Sequence, residues 1–326
     1  MQLSYPKYYK SFSCIADRCE DSCCKEWEVT LDAASVAFYQ KLPGVLGERL
    51  RQVIRTEDGC YLMTIENGRC PMWRQDGLCQ IQAQHGHDAL CQTCREFPRL
   101  KHEYEGFTEM DLELSCPEAA RLIFFADDQM IYEGDQEDTG DELMDILLSS
   151  RKTALDFLEH APYSLPQKLA MLLLYAHDVQ SQIDGGQAAS LDPEQALAEI
   201  KQYDFNGSMA PILECYLSLE ILTDRWKQRL HQPAEAPAWD PLLIRFMTYG
   251  IRRYWLQAVS DWDLLCRVKF LISGCLLIHA LGSDTVSTAQ LWSKEIENDA
   301  DNVDTLLDAA YTHPGFTDRN LLGLLA

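Results

Sequence analysis

Ten of the chain's thirteen cysteines, at positions 14, 19, 23, 24, 60, 70, 79, 91, 94 and 116, fall within the first 116 of 326 residues. Only Cys215, Cys266 and Cys275 follow. So dense a set of thiols leaves two designs, a disulfide framework or loops that converge on metal, and the redox compartment decides between them. The segment Met1-Gln2-Leu3-Ser4-Tyr5-Pro6-Lys7 lacks a charged stretch followed by an apolar one, and no run of about 18 apolar residues appears. The expectation is a cytoplasmic chain whose thiols stay reduced and bind metal.

The thiols are grouped as Cys14-x4-Cys19-x3-Cys23-Cys24, then Cys70-Pro71-Met72, then Asp76-Gly77-Leu78-Cys79, then Leu90-Cys91-Gln92-Thr93-Cys94, with Cys116 completing the set. Thiolates are soft ligands that select zinc, copper(I) or iron–sulfur clusters. There are more of them than one four-coordinate centre requires. Two centres, one centre with spare structural cysteines, and one centre beside a reactive thiol all fit. One of the adjacent pair Cys23 and Cys24 suits a structural role, as does Cys60, which precedes a strand and stands apart from the other motifs. Cys116 falls at the first turn of an expected helix, where the N-terminal field lowers a thiol's pKa. Arg69, Arg74, Arg95 and Arg99 lie close enough in sequence to offset the negative charge of a thiolate centre. His85 and His87 are alternative ligands, whereas His177 and His279 lie in apolar helical stretches and read as core.

Net charge is −23, unevenly spread: residues 1 to 125 carry 14 basic and 19 acidic side chains, the remainder 14 and 32. An acidic surface of this kind repels phosphate backbones and anionic lipid, so neither nucleic acid nor membrane is an expected partner. Tyr61 to Ile65 followed by Asn67-Gly68 predicts a hairpin, and Asp76-Gly77 a second tight turn. Ser115-Cys116-Pro117-Glu118 has capping-box spacing ahead of the apolar run Ala119 to Phe125. The acidic stretch Tyr132 to Glu142 reads as a linker. Helical periodicity then predicts helices over Leu143 to Leu158, Leu165 to Val179, Pro193 to Tyr203, Met209 to Leu230, Pro241 to Ala258 and Trp262 to Leu281. The expected fold class is mainly α: a small cysteine-rich α+β metal-binding domain over residues 1–131, then an all-α domain over 143–326.

Taken in order, CxxxxCxxxCC, CPMW with DGLC, TCREFPR and LSCPEAARL resemble the flagellin lysine N-methylases of bacteria, and the cysteine pattern is similar to that of CxxCxxCC zinc- or iron-chelating proteins. The resemblance spans about residues 5 to 125. It implies a protein-lysine N-methyltransferase that moves a methyl group from S-adenosylmethionine to lysines of flagellin, with a [4Fe–4S] cluster, or alternatively zinc or mononuclear iron, held by cysteine. Matching motif by motif carries the ligand role to Cys19, Cys23, Cys24, Cys70, Cys79 and Cys94, and also to Cys14 and Cys116, and leaves Cys91 out. No G-x-G-x-x-G follows a strand and no Cys-x3-Cys-x2-Cys appears, so neither usual S-adenosylmethionine loop is present. The rival expectation is a non-enzymatic metal-chelating or interaction module.

Overall fold

The computed structural model describes residues 2–135, 140–202, 206–233, 238–282 and 284–325. The chain is mainly helical, with two small sheets in its first part. Strands β1 (Gln2–Pro6), β2 (Val29–Leu31), β3 (Ile54–Glu57), β4 (Cys60–Met63), β5 (Arg99–Tyr104), β6 (Phe107–Leu112) and β7 (Met130–Glu133) alternate with helices α1 (Ala33–Lys41), α2 (Gly44–Val53), α3 (Gln80–His85), α4 (Gln92–Glu96) and α5 (Pro117–Phe125). One sheet has the order β5-β6-β1-β7, with β1 parallel to β6 and antiparallel to β7. The other is the antiparallel β2-β4-β3.

From residue 142 onward every described element is helical: α6 (Glu142–His160), α7 (Leu165–Ile183), α8 (Pro193–Gln202), α9 (Met209–Leu217), α10 (Asp224–Leu230), α11 (Leu243–Tyr254), α12 (Leu264–Leu281), α13 (Thr285–Ile296), α14 (Ala300–Thr312) and α15 (Asp318–Leu325). Aspartates start several of them: Asp141, Asp263, Asp284 and Asp299 each accept a hydrogen bond from a first-turn amide. Helix α12 is the hub. It passes the length and composition test for a membrane span, yet 94% of it is buried inside the protein. Phe270, with no exposed surface, packs there on the rings of Tyr254 and Trp292.

Several expectations shift in detail. The expected helix Met209 to Leu230 divides in two, because the backbone between α9 and α10 bonds elsewhere. Asn302 holds Glu220 by both its amide and its carbonyl, while Glu295 accepts from Leu222 N and Thr223 Oγ1. Helix α5 is capped by Cys116 rather than Ser115, whose hydroxyl donates to Glu113 instead. Strand β4 turns back on β3 through Asp58-Gly59, and Asn67-Gly68 closes only a single bridge between Glu66 and Arg69. Tyr203 and part of the expected linker, residues 136–139, lie outside the described residues.

Two hydrophobic cores organise the chain. The larger joins Tyr8, Phe12, Phe107, Leu112, Leu114 and the buried face of α5 to the helices beyond. The smaller lies between Val29 and Cys91 and includes Tyr39, Leu50, Met63, Met72 and Ile81. Buried Lys294 of α13 ties the two, its ammonium 2.9 Å from Asp21 Oδ2 and 2.6 Å from Glu26 Oε2. Beside the larger core Asp111 is buried and accepts from Tyr8 Oη and from Leu112 N, both at 2.7 Å.

Burial raises the Asp111 carboxyl to about 6, against the opposing pull of those hydrogen bonds and of Arg252 and Arg253. An acid raised above its unfolded pKa of about 3.9 binds more protons when folded, so it costs nothing below that pH and costs stability as pH climbs through the folded value. The full cost is roughly 3 kcal/mol at neutral pH. Asp111→Asn keeps both acceptor bonds and removes the charge. It is expected to flatten the urea-unfolding midpoint between about pH 4 and 6 and to raise it at pH 7. An unchanged slope would place the pH dependence on other groups.

Candidate metal centre

The smaller core has a hollow at its centre. Cys24, Cys70, Cys79, Cys91 and Cys94 line a cavity of about 30 Å³ whose remaining wall is apolar apart from Tyr39: Val29, Leu31, Met63, Met72, Ile81 and Leu90. Four separate stretches of chain deliver these thiols, and local hydrogen bonds fix each one. Cys70 N donates to Cys24 O at 2.8 Å and Trp73 N to Cys70 O at 2.9 Å, which folds Cys70-Pro71-Met72 back against the first loop. Gln80 N donates to Met72 O at 2.7 Å, and the Asp76-Gly77 turn closes through Arg74 N to Leu78 O at 2.9 Å. Cys79 then caps α3, and Cys91 caps α4.

The Cys91-Gln92-Thr93-Cys94 turn is pinned to β2. Thr93 Oγ1 donates to Thr30 O, and Asp32, the N-cap of α1, also accepts from Gln92 N; both bonds are 2.9 Å. The amide of Gln92 first, then the groups of Ser35, hold the Asp32 carboxyl at about 2. Below the cavity Tyr39 Oη donates to Ala89 O at 2.9 Å. These bonds place Cys91, at the N-cap of α4, and Cys94, three residues on, together on the cavity wall.

The electrostatics set the chemistry. Burial pushes the Cys70 thiol up to about 12 and raises that of Cys79, and the charges of neighbouring cysteines raise both further. Within the adjacent pair, the Cys23 thiol donates to Cys24, which raises Cys23 and lowers Cys24 to about 7. Cys94 and Cys91 share a proton likewise, Cys91 being lowered and Cys94 raised. Arg95 is the cation that favours the Cys91 thiolate. The other three arginines turn to different work: Arg74 pairs with Asp76, Arg69 stacks over Trp73 at 3.8 Å and Arg99 over Phe12 at 5.1 Å.

Of the eight expected ligands the cavity gathers Cys24, Cys70, Cys79 and Cys94. It adds Cys91, which the motif comparison had left out. The CxxC spacing of 91 and 94 at a helix start was the signal. Cys14, Cys19, Cys23 and Cys116 do not line this cavity; they feel one another's charges nearer the N-terminus of α5, where burial pushes Cys116 up to about 12. Cys60 is exposed on β4, and His85 and His87 stand outside the cavity wall. The thirteen cysteines are all free thiols. Among the described residues no three His, Cys, Asp or Glu side chains are already arranged to hold an ion. Ligation thus requires the cavity thiols to close in. The donor set fits a soft metal: five sulfurs, apolar walls and no carboxylate in the lining.

No protein-family model and no solved structure matches the chain. Among curated proteins it is 33% identical over 142 residues to the flagellar biosynthetic protein FliU of Salmonella muenchen, covering 39% of this chain and 80% of that protein. It is 32% identical over 135 residues to the lysine-N-methylases of Salmonella typhimurium and Salmonella choleraesuis. In those two cases the match again takes in 39% of this chain but only 34% of the relative's length. With most of FliU covered at this identity, the chain belongs to the family represented by FliU and these lysine-N-methylases.

Proposed function

We propose that this chain is a protein-lysine N-methyltransferase acting on flagellin, with S-adenosylmethionine as methyl donor and an iron–sulfur cluster on the thiols that line the smaller core. The observation that carries the proposal is the cavity itself. Five thiols from four chain segments meet on one largely apolar wall, where each ionised sulfur disfavours the next, and a bound cation would offset that repulsion. The names of the relatives, lysine-N-methylase and flagellar biosynthetic protein, support the transferase and flagellar parts of the reading.

In the transfer the lone pair of a neutral lysine amine forms the new N–CH3 bond while the sulfonium S–CH3 bond breaks, and the amine then loses its proton. A bound cluster would supply charge and a docking edge for the donor. This chain's own residues position the thiols and back them with the apolar wall of Leu31, Met63 and Leu90. A second reading is a structural zinc ion in a non-enzymatic module. It is favoured by the cavity's volume of about 30 Å³, which takes one ion without expansion.

Chain purified without oxygen is expected to carry iron and acid-labile sulfide. Cys70→Ser, Cys79→Ser and Cys91→Ser should each lower the iron content at least about twofold, whereas Cys60→Ser and Cys275→Ser should leave it unchanged. Stoichiometric zinc without sulfide would select the structural ion, and full iron in Cys91→Ser would return the ligand role to the motif set without Cys91.

Incubation of the iron-loaded chain with flagellin and S-adenosylmethionine is expected to yield methyl-lysine by mass spectrometry, and Cys70→Ser is expected to abolish it. Unmodified flagellin alongside fully loaded protein would leave the non-enzymatic module as the account.

A further inference from the structure

Helix α13 belongs to the helical part of the chain, yet two of its side chains, Gln290 and Lys294, one turn apart on one face, reach into the cysteine-rich part. Gln290 Nε2 donates to Ser115 O at 2.6 Å, beside Cys116. Lys294, 2% exposed, holds the loop that carries Cys23 and Cys24, with Asp21 Oδ2 at 2.9 Å on one side of them and Glu26 Oε2 at 2.6 Å on the other. An ammonium taken so far out of water is tolerated while its carboxylates stay in place, so the contact resists loosening.

From Asp21 the bonds continue to the cavity wall. Its second oxygen, Oδ1, accepts from Ser22 N at 2.8 Å, Ser22 Oγ accepts from Cys24 N at 3.2 Å, and Cys24 O accepts from Cys70 N at 2.8 Å. Cys24 and Cys70 are both cavity thiols. On the other side of the pair Glu26 has a left-handed backbone, with φ +76°, which a residue carrying a Cβ keeps when its surroundings hold it there. Its amide donates to Gly68 O at 3.0 Å, and its carboxylate meets Lys294. The ring of Trp27, next in the chain, lies 5.6 Å from the same ammonium. One buried lysine of the helical part is the shared anchor for both ends of the loop that delivers Cys24.

We infer that Lys294 is a positioning residue for the thiol centre: through Asp21 and Ser22 it sets Cys24 against Cys70, so that metal binding in the smaller core and the seating of α13 are energetically coupled. The inference rests on the reading of the cavity as a metal centre, and it holds for a cluster or a single ion alike. Groups outside the ligand set commonly tune metal affinity about 10- to 100-fold without touching the ion. By reciprocity, a bound metal steadies α13.

The test is anaerobic titration of the full metal-free chain with cobalt(II) against a competing chelator, at a temperature where every variant is folded. Cobalt is a soft-enough divalent probe whose ligation by thiolate shows in its absorption spectrum. Lys294→Met, which removes the charge and keeps an unbranched stem, should weaken cobalt binding about tenfold. Asp21→Ala should do the same, and the two changes together should go less than about threefold beyond either alone, because both break one relay. Leu169→Ala, fully buried on α7 among the other helices, should lower the thermal midpoint yet change cobalt affinity less than about twofold. Cobalt should slow amide hydrogen exchange along α13 in the native chain and leave it unchanged in Lys294→Met.

Native affinity in Lys294→Met would overturn the inference and leave the metal centre standing. Equal weakening by Leu169→Ala would reduce the effect to lost stability, and full additivity of Lys294→Met with Asp21→Ala would break the relay; either overturns it. Failure of the native chain to bind cobalt through sulfur would sink the metal reading and this inference with it. The expected cobalt results alongside an iron-loaded chain that transfers no methyl group would sink the transferase reading and leave the role of Lys294 in place.

Discussion

Five thiols gathered on one largely apolar wall are the constraint around which the first third of this chain is organised. In water a thiol ionises freely near its ordinary pKa; inside the smaller core burial pushes Cys70 to about 12, and its neighbours' charges add to the resistance. The cavity relieves this only in part, through the shared protons of the Cys23–Cys24 and Cys91–Cys94 pairs. Replacing those protons by a soft cation would satisfy the sulfurs, and no other group in the lining can do so. The apolar wall raises the cost of free thiolates and raises the benefit of a bound metal by the same physics.

The short strands and helices of this part have only the smaller core with which to hold such a cavity in shape. The helical part supplies what is missing. Lys294, almost fully buried on α13, projects its ammonium onto Asp21 and Glu26 on either side of Cys23 and Cys24, and lies over the ring of Trp27 at 5.6 Å. Strand β6 and helix α5 join the helical core directly, with Gln290 Nε2 donating to Ser115 O at 2.6 Å next to Cys116. Removing one partner from a buried pair of this kind is costly, because the remaining charge stays buried without compensation. The helices thereby fix where the first cysteine loop begins, and so where the thiols meet.

What the sequence made legible follows from the range of the interactions concerned. Helix existence and the mainly α class were readable from periodicity, which is local. The Asp76-Gly77 turn was readable for the same reason. The break between α9 and α10 was not, since the residues that satisfy its backbone, Asn302 and Glu295, are more than 70 positions away. At the cavity, motif spacing marked Cys24, Cys70, Cys79 and Cys94 and offered Cys91 through its CxxC spacing to Cys94, but only the folded chain sets Cys91 on the same wall and separates Cys14, Cys19, Cys23 and Cys116 from it.

The central claim, that the cavity thiols close on one soft metal centre, is tested most directly by X-ray absorption at the metal edge of chain purified without oxygen. The account predicts a first shell of sulfur alone at about 2.3 Å, with an iron–iron shell beyond it for a cluster. It also predicts that Cys91→Ser alters that first shell while Cys60→Ser leaves it intact. A first shell of oxygen and nitrogen, or a sulfur shell indifferent to every cysteine that lines the cavity, would contradict it.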